Sequence, residues 1–342
     1  MKSSLKIIGY GSYIPQFRIK KEEYVKTWGN FQGRIQEKSV IGYDEDTLTM
    51  AVEAGKNALK NAKVKREGIK VISVGTSTPP YALRSMSSEV AMAIGIPLDI
   101  ALIDFKESEK AGTTGLLTSI DILANRGGVG LVIGSDSPLA KPNDEVEHTF
   151  GAAAAALIIG KNDGIAEIEG YSSNNVTFIA DRFRKDGDTK IQDLSIASYK
   201  QYAYKNSISG AVTTLMDELG LKSEDFNHIF IQGHDTREPT RVIPKLIDSK
   251  KIYTEPLNVL GDTGAASVLI GLVGILNKVA KPNDRILCVS YGSGAGSEAV
   301  SIVVKEKQIN DPEIPDLEMY LNNKKYLDYS QYLKFRELID LE

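Results

Sequence analysis

This chain has little of what would place it quickly. Of its 342 residues one is cysteine, one is tryptophan and three are histidine. A single cysteine excludes an internal disulfide and any cysteine-rich metal site. That residue, Cys288, lies in the apolar run Arg285-Ile286-Leu287-Cys288-Val289-Ser290, where a small buried core residue is the favoured reading over a nucleophile. His148, His228 and His234 show neither HxxxH nor HxH spacing, so no metal is expected. Charge of one sign is lacking too. The net −4 comes from 41 basic and 45 acidic residues spread along the chain, which leaves neither a basic stripe for nucleic acid nor a polybasic patch for a membrane. Small acidic or coenzyme A-linked ligands stay open. The first apolar run ends at Gly9-Tyr10-Gly11, too short for a secretion signal or a membrane span, and a cytoplasmic location is the expectation.

What the chain does have is alternation. Strand-like runs at 70–74, 100–105, 130–133, 155–159, 228–231, 285–290 and 298–304 alternate with helical patterns at 46–62 and 208–219, the signature of an α/β chain. A helix-like stretch at 112–125, rich in small residues, precedes the run 131–135, and a second at 264–277 precedes 287–291. Upstream, 71–75 corresponds to 229–233; downstream, 155–159 corresponds to 299–303. The chain therefore divides into similar halves, 1–162 and 163–305. Helices this rich in Gly, Ala, Ser and Thr suit burial between sheets, because small side chains let backbones approach, and a five-layered α-β-α-β-α sandwich meets that demand. Residues 306–342 change character, with Pro312, Pro315 and Tyr320, Tyr326, Tyr329 and Tyr332, and are expected to pack on the body or on a partner.

Candidate chemistry gathers where the run 100–105 hands over to the helix that includes 116–123. Glu109 stands there, directly before Lys110-Ala111-Gly112-Thr113-Thr114. A helix start concentrates unpaired N–H groups and the positive end of the macrodipole, which would turn a thiol into a thiolate. This chain places a carboxylate there instead. Tyr291-Gly292-Ser293-Gly294-Ala295-Gly296 is glycine-rich, but a strand rather than a helix follows it, against a dinucleotide fingerprint. Asp186-Gly187-Asp188 lacks the remaining ligands of a calcium loop and reads as a solvated turn.

Several segments together resemble the archaeal hydroxymethylglutaryl-CoA synthase family of the thiolase superfamily: Gly9-Tyr10-Gly11-Ser12-Tyr13-Ile14-Pro15, Glu37-Lys38-Ser39-Val40, Asp44-Glu45-Asp46, Pro80-Tyr81-Ala82, Lys110-Ala111-Gly112-Thr113 and Ser290 to Ser297. The resemblance covers nearly the whole chain and implies a duplicated thiolase fold. That family condenses acyl groups with a cysteine, a glutamate and a histidine. The matching positions here hold Glu109 for the cysteine and Ser77 for the glutamate. Gln232 falls at the histidine position, with His234 two residues on as the alternative, and Asp262 replaces an asparagine. Tyr291, Gly292, Ser293 and Gly294 are implied as the floor of the acyl pocket. No covalently bound cofactor is expected, with coenzyme A or acyl-CoA as possible ligands. The pattern also resembles the synthase-like subunit of bacterial phloroglucinol acyltransferase complexes, which implies a homodimer and, as partners, a thiolase subunit and a zinc-ribbon/OB-fold protein. On that reading the chain is a non-catalytic component. The alternative is an acyl-CoA transferase or decarboxylase using Glu109 and Asp262.

Overall fold

The computed structural model describes residues 1–176, 182–194, 197–294, 296–306 and 313–339. Ala295 and Pro312, singled out above, lie outside the described residues. One nine-stranded sheet runs through the molecule. In spatial order it holds β11 (His228–Ile231), β12 (Arg285–Gly292), β13 (Gly296–Val304), β8 (Ala166–Asn174), β1 (Lys6–Tyr13), β7 (Ala153–Gly160), β6 (Val129–Asp136), β4 (Ile69–Gly75) and β5 (Ala101–Phe105). Where its halves meet, β1 and β8 pair only through Lys6–Glu167 and Ile7–Ala166.

Topology repeats across that seam. β4 and β6 are parallel, and so are β11 and β12; β6 pairs antiparallel with β7 as β12 does with β13; β7 pairs with β1 as β13 does with β8. The counterpart of β5 is reduced to a bridge between Ile229 and Ile252.

Helices complete five layers. α2 (Thr47–Ala62) and α3 (Met86–Ile94) cover the outer face of the first half through Met50, Ala54, Ala58 and Val90. α5 (Ala197–Leu219) and α6 (Arg237–Val242) cover the second through Ile208, Val212, Leu215 and Val242. Between the halves lie α4 (Ala111–Arg126) and α8 (Ser267–Gly274), buried among Leu116, Ile120, Leu123, Val268, Leu272 and strand residues of both halves. Close approach there dictates composition. A Cβ on Gly112 would stand 2.1 Å from the Ala265 carbonyl oxygen, so only glycine fits where α4 passes the 3₁₀ turn ahead of α8. The helix expected at 264–277 is one helical run whose hydrogen bonding changes along it, from a 3₁₀ turn (Gly264–Ala266) through α8 to a π-turn (Ile275–Val279). α2 is started by Asp46, whose carboxylate accepts from Thr49 N–H (2.7 Å) in a capping box.

The tail folds back. β14 (Lys325–Leu327) pairs with β2 (Phe17–Lys20), which pairs with β3 (Glu37–Val40), and α10 (Tyr329–Phe335) packs near α1 (Lys21–Trp28). Under it lies the ion pair of Lys38 with Glu147 (3.1 Å), both buried, with Tyr24 and Tyr332 hydroxyls completing the cluster. Burial lowers the Lys38 amine to about 8 against the pull of Glu147. α7 (Glu255–Leu260) and α9 (Leu317–Asn322) close remaining gaps around β3 and β1, while β9 (Arg182–Phe183) and β10 (Gln192–Asp193) form a small separate ribbon. Asp186-Gly187-Asp188 is an exposed turn with Gly187 at φ +82°.

Candidate functional site

β4 and β5 end side by side, joined by a hydrogen bond from Thr76 N–H to the Phe105 carbonyl (2.9 Å). Parallel strands deliver their C-terminal loops to one edge, the usual place for a site in such sheets. Here the loop after β4 carries Ser77 and the loop after β5 carries Ser108 and Glu109. The ends of β11 and β12 bring Gln232, His234 and Ser293.

Both Glu109 carboxylate oxygens are held by one residue. Ser293 donates its N–H to Oε2 (2.9 Å) and its hydroxyl to Oε1 (3.1 Å). Behind Glu109 stands Arg182, from β9. Its Nη1 lies 2.9 Å from Asp262 Oδ2 and 3.9 Å from Glu109 Oε1, its Nε lies 3.6 Å from Asp193, and its guanidinium sits 4.7 Å over the Phe150 ring. One buried cation thus bridges two of the residues singled out in the sequence. Burial pushes the Glu109 carboxyl upward, opposed by Arg182 and the Ser293 N–H. Asp262 goes the other way: despite its burial, His234 and Arg182 hold it well below the usual carboxylate range.

Gln232 and His234 divide the space between them. The Gln232 amide donates to the Glu109 carbonyl (3.1 Å) and the Gly264 carbonyl (3.0 Å), and its oxygen accepts from Tyr291 N–H (3.3 Å), so it staples backbone. His234 instead meets Asp262 through Nδ1 (3.1 Å) and Glu238 through Nε2 (3.7 Å). Ser77 donates its hydroxyl (2.7 Å) and its N–H (3.0 Å) to Asp136, the last residue of β6, which also accepts from Ala265 N–H (2.9 Å). Burial pushes Asp136 upward against these donors. Beneath the start of α4, Lys110 pairs with Glu298 (3.0 Å), which also accepts from the Thr114 hydroxyl (2.9 Å).

Two clefts reach this arrangement. One is lined by Glu109, Ser77, Ser108, Ser293, Lys106, Arg182 and Arg184; the other by His234, Asp235, Glu238, Arg237, Thr149 and again Arg182. Arg182 is the wall they share. Asp262 lines neither.

With that geometry in view, the relatives are informative. A hydroxymethylglutaryl-CoA synthase of Thermococcus onnurineus is 38% identical over 96% of this chain and 95% of its own length, and one of Pyrococcus furiosus is 37% identical over the same shares. This chain belongs to the hydroxymethylglutaryl-CoA synthase family. No family model matches the chain. Solved structures share its thiolase fold. A synthase (MvaS) bound to 3-hydroxy-3-methylglutaryl coenzyme A superposes with a TM-score of 0.82 at 20% identity, covering 99% of this chain and 93% of that one. A synthase complexed with CoA reaches 0.85 at 17%, covering 100% and 92%. A 3-oxoacyl-[acyl-carrier-protein] synthase III from Aquifex aeolicus reaches 0.78 at 21%, covering 87% and 99%.

Of the positions that the family resemblance singled out, Glu109, Ser77 and Ser293 line the first cleft and His234 the second, while Gln232 and Asp262 are buried between them. In the glycine-rich segment, alternation along β12 sends Ser290 inward to Thr113 (2.8 Å), so Tyr291 points the opposite way and packs edge-on against Tyr204, 5.0 Å between centroids. Ser293 lines the first cleft, and Gly292 lies against Ser108 of the same cleft, where an added Cβ would stand 2.5 Å from the Ser108 hydroxyl. Sequence reading missed Arg182, Asp193, Asp136 and Phe150. Asp136, at the end of a strand beside β4, had a usable signal; Arg182 and Asp193 lie in two-residue strands too short to leave one. Among the described residues no His, Cys, Asp and Glu group has the arrangement to hold a metal ion, and no helix is long and apolar enough to cross a membrane.

Proposed function

We propose that this synthase-family chain is a non-catalytic subunit of an acyl-CoA thiolase/acyltransferase assembly. Its partners would be a thiolase subunit and a zinc-ribbon/OB-fold protein. The observation that carries this reading is the thiol. The nucleophile position holds Glu109, tied to Ser293, and the only cysteine, Cys288, is buried in β12 with its thiol pushed up to about 12 by desolvation. Acyl transfer from a thioester to a carboxylate gives an anhydride, uphill of the thioester, so Glu109 is no substitute for a thiolate. Ser77 offers no acid or base and is committed to Asp136. Solved members of the fold are complexed with CoA or its hydroxymethylglutaryl ester, which supports acyl-CoA as the ligand class here. A cytoplasmic site of action fits such a ligand.

A second reading keeps an enzyme, a transferase or decarboxylase using Glu109 and Asp262. What favours it is the guanidinium within 3.9 Å of the one and 2.9 Å of the other, which puts both carboxylates in one site. Against it, that same cation neutralises them and Asp262 lines neither cleft.

The purified chain supplied with acetyl-CoA and acetoacetyl-CoA is expected to release no free CoA, and activity should appear only when a thiolase and an OB-fold partner from the same cell are added. Turnover by the chain alone that Glu109→Gln abolishes would transfer the case to the second reading.

We also propose a homodimer formed through β5. This strand ends the sheet, and all five of its residues are partly exposed although four of them are apolar, whereas the opposite edge, β11, is covered. α3, which packs on β5, and the loop between them expose Met92 (70%) and Leu98 (55%). An open apolar edge is a template for strand pairing, and antiparallel pairing with its own copy satisfies it symmetrically. Light scattering should give twice the mass of the chain; a monomer at micromolar concentration sinks this proposal.

A further inference from the structure

We propose that the pocket at the start of α4 is a carboxylate-binding site, and that Glu109 is its built-in occupant. The inference deepens the functional reading above and rests on it, since a pocket that condensed acyl groups could not keep a resident acid. Three observations carry it. The two oxygens of Glu109 are matched one to one by the N–H and the hydroxyl of Ser293, the two-point pattern that planar carboxylates take. Arg182 Nη1, 3.9 Å away, supplies positive charge from the buried side. Finally, Ser108 lines the same cleft, only 5% exposed, and its hydroxyl has no hydrogen-bond partner. A buried hydroxyl left unpaired is costly, and a ligand oxygen in the cleft would satisfy it.

Glu109 therefore fills, from within, space shaped for a carboxylate, and occupies the Ser293 donors that a carboxylate arriving from the cleft would otherwise take. Truncating Glu109 leaves the Ser293 donors and the Arg182 charge around a hole the size of the group removed, in the cleft that the Ser108 hydroxyl also lines. The ligand class this variant should take is a free monocarboxylate such as acetate or formate. No bond is made or broken.

The test is thermal unfolding of Glu109→Ala titrated with sodium acetate, against sodium chloride at equal ionic strength and against acetamide, the neutral isostere. A saturable rise of about 2 °C at acetate roughly tenfold above its dissociation constant is expected. It should be absent from the wild type and from Glu109→Gln, whose amide still fills the space, and weakened in Glu109→Ala/Ser293→Ala and Glu109→Ala/Ser108→Ala. The proposal is overturned if chloride or acetamide does as well as acetate, if the wild type responds equally, or if no rise occurs. Should Glu109→Ala not fold in chloride, refolding yield becomes the readout, where recovery in acetate alone supports the site and no recovery removes it. Because nothing is turned over, acetate binding can fail while the condensation result stands, and the reverse.

Discussion

Replacing Arg182 with alanine is expected to cost about 3–5 kcal/mol of stability, the range for removing one partner of a buried ion pair. The residue is 6% exposed and is shared by Asp262, Asp193 and Glu109, so its loss removes the buried cation common to these carboxylates and the contact with Phe150. The penalty should depend on pH. In the wild type Asp262 is depressed, so its contribution is complete above its unfolded pKa of about 3.9 and is lost as pH falls through its folded value. Glu109 is raised, with the opposite sign: the stability it contributes is present below its unfolded value of about 4.3 and lost as pH rises through its folded one. Without Arg182 both carboxyls move up. Urea denaturation should then find the variant closest to wild type near pH 4 to 5 and furthest from it at pH 7 to 8. Arg182→Ala/Asp262→Asn should recover on the order of 2 kcal/mol relative to the single variant, because the second change removes the stranded charge. A loss under about 1 kcal/mol that is the same at both pH values would mean that the cation is solvated and that this account of the site is wrong.

Glu109→Cys is expected to react with iodoacetamide at pH 8 about a thousandfold faster than Cys288 of the same chain. Burial pushes Cys288 to about 12, which leaves it ionised to roughly one part in ten thousand at pH 8. A thiol at position 109 faces the cleft at the start of α4, near Arg182 and the Ser293 N–H, all of which favour the thiolate. An ordinary thiol is already about a quarter ionised at that pH, which gives the factor before accessibility is counted. Supplied with acetyl-CoA, the variant should gain a stable acetyl group, visible by mass spectrometry, without condensing it, because Ser77 supplies no acid or base. Equal labelling of Cys288 and Cys at 109 would show that the helix start does not activate a nucleophile in this chain. Condensation by the variant alone would show that one residue separates it from an active synthase.

Much of the fold was legible because it is periodic. Strand runs bounded by turn residues, and helices of small residues ahead of strands, recur at matching positions in both halves, and Gly112 marks where the central layer is tightest. The changes of hydrogen-bond pattern after Ala266 and Gly274 were not legible, because a 3₁₀ turn, an α-helix and a π-turn share nearly the same pattern of apolar residues. In the site, Glu109 stood out because a motif surrounded it. Which way Tyr291 faces was not legible, because facing on a strand reverses at every residue and only pairing fixes it.

By itself the sequence determined the α/β class, the duplication, the family and the place of a carboxylate, Glu109, directly ahead of the helix at 111–126, since each is written in composition, period or contiguous motif. Tertiary structure alone decided that Gln232 staples the backbone while His234 joins Asp262, and that Arg182, 73 positions from Glu109 and 80 from Asp262, stands between them. The reason is physical. Contacts between distant segments obey charge and space rather than any spacing along the chain, and a cation that neutralises buried carboxylates leaves no periodic trace where it enters from a two-residue strand.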